Sequence, residues 1–289
     1  MPRTRRERSP EILLKEAVSS LFVRVLILLV VAALFAPGVI FALGIATYVS
    51  VSFLVARRWL PARSSAHLLR DVWAEVWASL VTQPLMPLYY LFGRTMAGGA
   101  GHPVIVVHGY SQNRVDFWAM ARALRARGMG PVYGFNYSWL ARIDVSAARL
   151  GTFVDEVRAE TGHETVDLVC HSMGGLVALE LARERQGEGV RRCVTIATPH
   201  AGATWGGPIL GACAGQLRMG SAFLTQLALA RFAFPLLSIY SSHDNVVHPP
   251  STSSMAERGG RDLVLDGGAH LSVLFDRRVH DAVAEFLGD

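Results

Sequence analysis

Val166-Asp-Leu-Val-Cys170-His171-Ser172-Met173-Gly174-Gly175 is a run of apolar strand formers that ends in a serine, with small residues directly after it. The layout predicts a sharp strand-to-helix turn that holds the serine in a strained backbone conformation with its hydroxyl exposed. Residues crowding such a turn must be small. Gly174 takes the second glycine of a G-x-S-x-G pattern, while Cys170 stands where the first is expected. Serine is also a favoured helix N-cap, and that is the alternative reading of Ser172.

A serine hydroxyl is a weak nucleophile until a base takes its proton, and the base works best when an acid orients it. Two downstream segments offer such partners. Leu236-Leu-Ser-Ile-Tyr-Ser-Ser-His-Asp244-Asn-Val-Val-His-Pro249 is a short apolar run that opens into a polar loop carrying Asp244. Asp262-Leu-Val-Leu-Asp266-Gly-Gly-Ala-His270 is a second such run, ending in a glycine-rich loop with His270. Asp266 competes for the role of acid, and His248 and His280 for that of base. Both preferred residues follow the carboxyl end of a predicted strand, the edge where ligand-binding loops gather in an open α/β sheet. Pro103-Val-Ile-Val-Val-His108-Gly109-Tyr110-Ser111 is a further apolar strand followed by a tight loop. The backbone N–H groups of Tyr110 and Met173 are the candidate oxyanion-hole donors, placed to stabilise the negative oxygen of a tetrahedral intermediate. His108 and His200 read as loop-shaping residues, and His171 as pointing away from its neighbour Ser172.

Strands are expected near 103–107, 131–136, 166–170, 191–197, 236–241 and 262–266. Helices are expected near 114–127, 143–161, 173–185 and 276–287. This alternation predicts an α/β fold with a mostly parallel sheet of about six strands and helices on both faces. Residues 201–233 interrupt it with an apolar stretch whose only charges are Arg218 and Arg231. The expected role is a cap over the serine, suited to an acyl chain; the alternative is a buried helix pair.

Three stretches together, Val107-His108-Gly109-Tyr110-Ser111-Gln112-Asn113, Cys170-His171-Ser172-Met173-Gly174-Gly175 and Ile196-Ala-Thr198-Pro199-His200-Ala-Gly202, with the Asp244 and His270 loops, resemble a bacterial lipase or esterase of the α/β-hydrolase superfamily. The resemblance covers roughly residues 100–289 and implies a reduced α/β-hydrolase fold. It also implies ester hydrolysis through an acyl-enzyme, with Ser172 as nucleophile, His270 as base and Asp244 as orienting acid, in the chain order of that superfamily. The implied substrate is a lipid or other hydrophobic ester, and no cofactor or catalytic metal is required. The same machinery would serve an acyltransferase or a thioesterase. A catalytically silent hydrolase-fold protein that binds at a membrane is the reading from another class.

The chain has 289 residues, of which 51% are hydrophobic, and the excess lies at the front. No charged residue occurs from Val25 to Ala56. Val18–Ala36 and Val39–Ala56 are each about long enough to span a bilayer, so residues 1–60 are expected to form a transmembrane helical hairpin turning at Pro37-Gly38. Arg3, Arg5, Arg6, Arg8 and Lys15 precede this region and Arg57, Arg58, Arg63 and Arg70 follow it. For a hairpin, the positive-inside rule puts both flanks, and with them the hydrolase domain, on the cytoplasmic side of a bacterial inner membrane; if the apolar region makes one span instead, the enzyme faces the opposite side. Residues 61–100 read as an amphipathic connector, with Leu69, Val72, Trp73, Val76, Trp77 and Leu80 at helical spacing; its expected place is either the membrane interface, where tryptophan is enriched, or against the hydrolase domain. The net charge of +5 is mostly arginine and shows no basic–aromatic pattern for nucleic acid. Cys170, Cys193 and Cys213 lack metal-ligand spacing.

Overall fold

The computed structural model describes residues 10–91, 93–204 and 209–288 and divides into two compact units, Met1–Thr47 and Tyr48–Asp289. In the larger unit, a seven-stranded sheet runs in the order β1-β3-β2-β4-β5-β6-β7. Its strands are β1 (Thr95–Ala97), β2 (Val104–Val107), β3 (Val132–Phe135), β4 (Val166–His171), β5 (Val190–Ile196), β6 (Leu236–Ser241) and β7 (Arg261–Leu265). All pairs are parallel except β1 with β3. The sheet thus has one strand more than the expected six. Thr95-Met96-Ala97 lies between Gly93 and Gly98 and is too short to show a strand's alternation; it forms only because β3 leaves an edge to pair with.

The two faces of the sheet follow from the period of two along a strand. In β2, Ile105 and Val107 pack into one core with Leu168, Cys170 and residues of α4 (Ile143–Thr161) and α5 (Met173–Glu184). Val104 and Val106 face the opposite core, with Met120 and Leu124 of α3 (Trp118–Ala126) and Val279 and Val283 of α7 (Arg277–Gly288). Central strands buried on both sides read as near-continuous apolar runs, which is why Val-Ile-Val-Val serves as β2.

Near the N-terminus the structure departs from the expected hairpin. One helix, α1 (Pro10–Ala56), continues through Pro37. Proline's φ of about −65° is itself helical, at the cost of one hydrogen bond. A turn at Ala36-Pro37-Gly38-Val39 would have to cap two helix ends, and these residues offer no polar side chain to do so. The last turns of α1, from Tyr48, belong to the larger unit, where Val49, Ser52, Phe53 and Ala56 are buried.

The next helix, α2 (Ser65–Leu85), is capped by the Ser64 hydroxyl. It turns Leu69, Trp73 and Trp77 outward and buries Asp71, Glu75, Val76, Ser79 and Thr82. Within 201–233 the described residues form one helix, α6 (Ala222–Leu229), and an isolated bridge from Ala203 to Arg218.

Candidate active site

Ser172 sits between β4 and α5 at φ 52° and ψ −126°, a conformation that non-glycine residues adopt rarely and at a cost. The surroundings hold it there. Ser172 N–H donates to Ile196 O at 2.8 Å, tying the turn to β5. A Cβ on Gly174 would stand 2.5 Å from His108 O and also strike Val107 O, and one on Gly109 would stand 2.8 Å from Ser172 Cβ. Both glycines are therefore required by the close approach of the β2 loop to the turn. Cys170 tolerates no such comparison: its side chain lies wholly in the core, so a thiol is accommodated where the pattern has glycine.

Ser172 Oγ lies 3.0 Å from His270 Nε2, and His270 Nδ1 lies 2.9 Å from Asp244 Oδ2. Asp244 follows β6 and His270 follows β7, so three loops at one sheet edge bring the row together. The second Asp244 oxygen accepts from the N–H groups of Val246 and Val247, each at 2.7 Å. Burial would raise the Asp244 pKa, but the charge and hydrogen bond of His270 and these two N–H groups outweigh it and hold the carboxyl below its ordinary value. Burial likewise opposes the charged form of His270; the charge and hydrogen bond of Asp244, with the charge of Glu75, prevail and raise its pKa. The row thus supplies a hydroxyl, a base that can take its proton, and a fixed negative charge that orients and stabilises the protonated base.

The competing residues lie elsewhere. Asp266 is exposed and pairs with Arg63 at 2.8 Å. His280, on α7, reaches Leu274 O at 2.7 Å, and His248 stacks on Trp59. His108 and His200 are buried, which pushes their pKa values down to about 4 and about 3. His171 is also buried and held down to about 3, by desolvation and by the charge of His270. Its Nε2 lies 2.9 Å from the backbone oxygen of His270, so the ring supports the histidine loop from behind.

A cavity of about 470 Å³ opens above Ser172. Tyr110, Met173 and His270 line it together with Tyr48 from the end of α1, Val246, Val247, and Ile209 and Leu217 from the 201–233 segment. Met173 is the first residue of α5, where backbone N–H groups have no partner within the helix. The Tyr110 hydroxyl accepts from Leu210 N–H at 2.8 Å, pinning that segment over the cavity. Among the described residues no group of three or more His, Cys, Asp or Glu side chains is arranged to hold a metal ion. Two contributors escaped the sequence reading. Asn245 Oδ1 accepts from His270 N–H at 2.9 Å, and Glu75 accepts from the N–H groups of Leu271 and Ser272. Adjacency to Asp244 was a signal for the first; an acidic residue within an apolar helical stretch was the signal for the second.

A parallel sheet with a strained serine after one strand and an acid and a histidine after the last two has the α/β-hydrolase fold, and a family model described as alpha/beta hydrolase fold matches residues 102–211. The chain is 33% identical over 150 residues to a triacylglycerol lipase of Burkholderia plantarii, covering 45% of this chain and 40% of that one. It is 35% identical over 111 residues to a triacylglycerol lipase of Pseudarthrobacter phenanthrenivorans, covering 35% of this chain and 34% of the other. The chain therefore spans less than half of the length of these relatives. Among solved structures, Aspergillus fumigatus lipase B superposes with a TM-score of 0.58 at 18% identity, over 68% of this chain and 54% of that one. A mature lipase of Bacillus licheniformis superposes with a TM-score of 0.55 at 16% identity, over 66% and 93%. The resemblance to bacterial lipases and esterases read from the motifs stands.

Proposed function

We propose that this chain is a membrane-anchored serine ester hydrolase acting on hydrophobic, lipid-like esters. The observation that carries the reading is the continuous row Ser172 Oγ–His270 Nε2 at 3.0 Å and His270 Nδ1–Asp244 Oδ2 at 2.9 Å, at the floor of a largely apolar cavity. In the proposed cycle Ser172 Oγ attacks the ester carbonyl as His270 takes its proton. The N–H groups of Tyr110 and Met173 receive the negative oxygen, each contributing a few kcal/mol in the transition state. His270 then protonates the departing alcohol, leaving the acyl group on Ser172. Water, deprotonated by His270, releases the acid and restores the serine. The apolar wall of Ile209, Leu217, Val246 and Val247 suits the acyl chain. The names of the two bacterial relatives favour the same substrate class.

Hydrolysis of p-nitrophenyl esters from acetyl to palmitoyl tests this reading. Activity is expected to be highest with medium or long acyl chains. A folded protein inert on every ester, and unreactive toward a fluorophosphonate probe, would remove the hydrolase assignment.

Anchoring is part of the proposal. Phe35–Ala56, with a mean hydropathy of 2.2 over its most apolar 18 residues, is long and apolar enough to cross a membrane. The charge-free stretch up to Thr47, ahead of the turns that pack on the larger unit, is roughly 35 Å long at 1.5 Å per residue, enough for a hydrocarbon core of about 30 Å. A single span puts its flanks on opposite sides. The denser cluster, Arg3, Arg5, Arg6, Arg8, Lys15 and Arg24, then stays in the cytoplasm and the hydrolase unit faces outward. The outward Trp73 and Trp77 suit the membrane interface, where tryptophan is enriched. Protease added to sealed spheroplasts is expected to digest the hydrolase unit; full protection would return it to the cytoplasmic side.

A further inference from the structure

The main chain around His270 is held by side chains from three separate elements. Asn245 Oδ1 accepts from His270 N–H at 2.9 Å, and His171 Nε2 lies 2.9 Å from His270 O. The third is Glu75 of α2. Its Oε1 accepts from Leu271 N–H at 2.9 Å, and its Oε2 from Leu271 N–H at 3.0 Å and Ser272 N–H at 2.8 Å. Glu75 is only 4% exposed, and it lies outside the residues 102–211 that match the family model.

A carboxylate withdrawn from water is costly unless hydrogen-bonded; burial, with the charge of Asp244, raises the pKa of Glu75 above its ordinary value, although the two backbone N–H groups and the charge of His270 lower it. An apolar residue at this position would avoid that cost but would leave the N–H groups of the histidine loop without these acceptors. We propose that Glu75 is a positioning residue of the active site, its buried carboxylate gripping the backbone that follows His270 and so setting where the imidazole stands relative to Ser172 and Asp244. The proposal rests on the hydrolase reading above. It makes α2 part of the catalytic apparatus rather than a linker. The same region adds a second tie: Arg63, just ahead of α2, bridges Asp71 at 3.3 Å and Asp266 at 2.8 Å, joining the helix to the opposite end of the His270 loop.

The test uses the full chain in detergent, comparing wild type with Glu75→Gln and Glu75→Ala. Glu75→Gln keeps the shape and one accepting oxygen, so it separates positioning from folding. It is expected to unfold within a few degrees of wild type and to leave KM nearly unchanged. Its kcat should fall by up to about 100-fold, the scale of an ångström's misplacement of a catalytic group; Glu75→Ala should fall further. The groups around the His270 ring include Asp244, Glu75, His171 and Ser172, with Tyr48 from the end of α1 lining the same cavity. Removing the Glu75 charge lowers the His270 pKa, so the acidic limb of the kcat/KM profile moves to lower pH. The same titration followed on ¹⁵N-labelled histidine needs no substrate. A shifted His270 titration in a protein inert on esters would sink the hydrolase reading and leave the positioning role standing. Wild-type kcat and an unmoved His270 titration in Glu75→Gln overturn the proposal, as does a lowered unfolding temperature at unchanged kcat.

Discussion

Ser172→Ala is expected to reduce kcat for p-nitrophenyl ester hydrolysis by about a million-fold, the scale seen when a serine nucleophile is removed from such a row, and to abolish labelling by a fluorophosphonate. The expectation follows from geometry. His270 Nε2 lies 3.0 Å from Ser172 Oγ, with Asp244 on its other ring nitrogen. The substitution should be nearly silent for folding. The position is 7% exposed, and its cost is the positive φ of 52°, which serine already bears and alanine bears alike. Activity within tenfold of wild type in Ser172→Ala would mean that water is activated directly and that no acyl-enzyme forms.

The second large effect belongs to Asp244→Asn, with an expected fall in kcat of about 10⁴-fold. Asparagine keeps the size but loses the charge that stabilises protonated His270. If its amide nitrogen faces Nδ1, the histidine is driven into the tautomer that cannot accept the serine proton. The pH dependence gives a second readout. His270 acts as a base only when neutral, and its folded-state pKa is raised above 6.5. Wild-type activity should therefore rise through a limb above that value and be lost as pH falls below it. Asp244→Asn removes the largest raising influence, so the limb of the residual activity shifts to lower pH even as its ceiling drops. A full rate with an unmoved limb would transfer the orienting role to another group. Asp266, exposed and bound to Arg63, is not placed for it.

Much of the fold is legible along the chain because the sheet's centre is buried on both faces. Val104–Val107 is an unbroken apolar run and Val166–His171 is apolar but for Asp167 and His171, and the helices between them end at glycine or at a change of period. β1 escaped because three residues carry no period, and its pairing energy comes from β3. The α1 hairpin was expected because proline and glycine punctuate short peptides. Within a long apolar helix, the hydrogen bonds of neighbouring turns outweigh the one that Pro37 forgoes. The row of Ser172, Asp244 and His270 could be proposed from chain order and strand ends, since each occupies a loop at the same sheet edge. Glu75 is marked only as an acidic residue within an apolar helical stretch, because α2 reads as amphipathic with tryptophans as its apolar face. The structure turns Leu69, Trp73 and Trp77 outward and buries Asp71 and Glu75.

What the sequence by itself determined is everything that depends on local pattern. It set the succession of the six longer strands and the helices between them, the small residues demanded by the turn at Ser172, and the apolar length of the N-terminal segment. What only the tertiary structure decided is which distant groups meet. Examples are the grip of Asn245 and Glu75 on the histidine loop and the contribution of Tyr48 to the cavity wall. The physical reason is one of range. Periodicity and turn chemistry act over a few residues and are written there. The partner of a buried carboxylate or imidazole is chosen by which unpaired N–H or ring the packed core delivers to it, and Glu75 and Leu271 lie nearly two hundred residues apart along the chain.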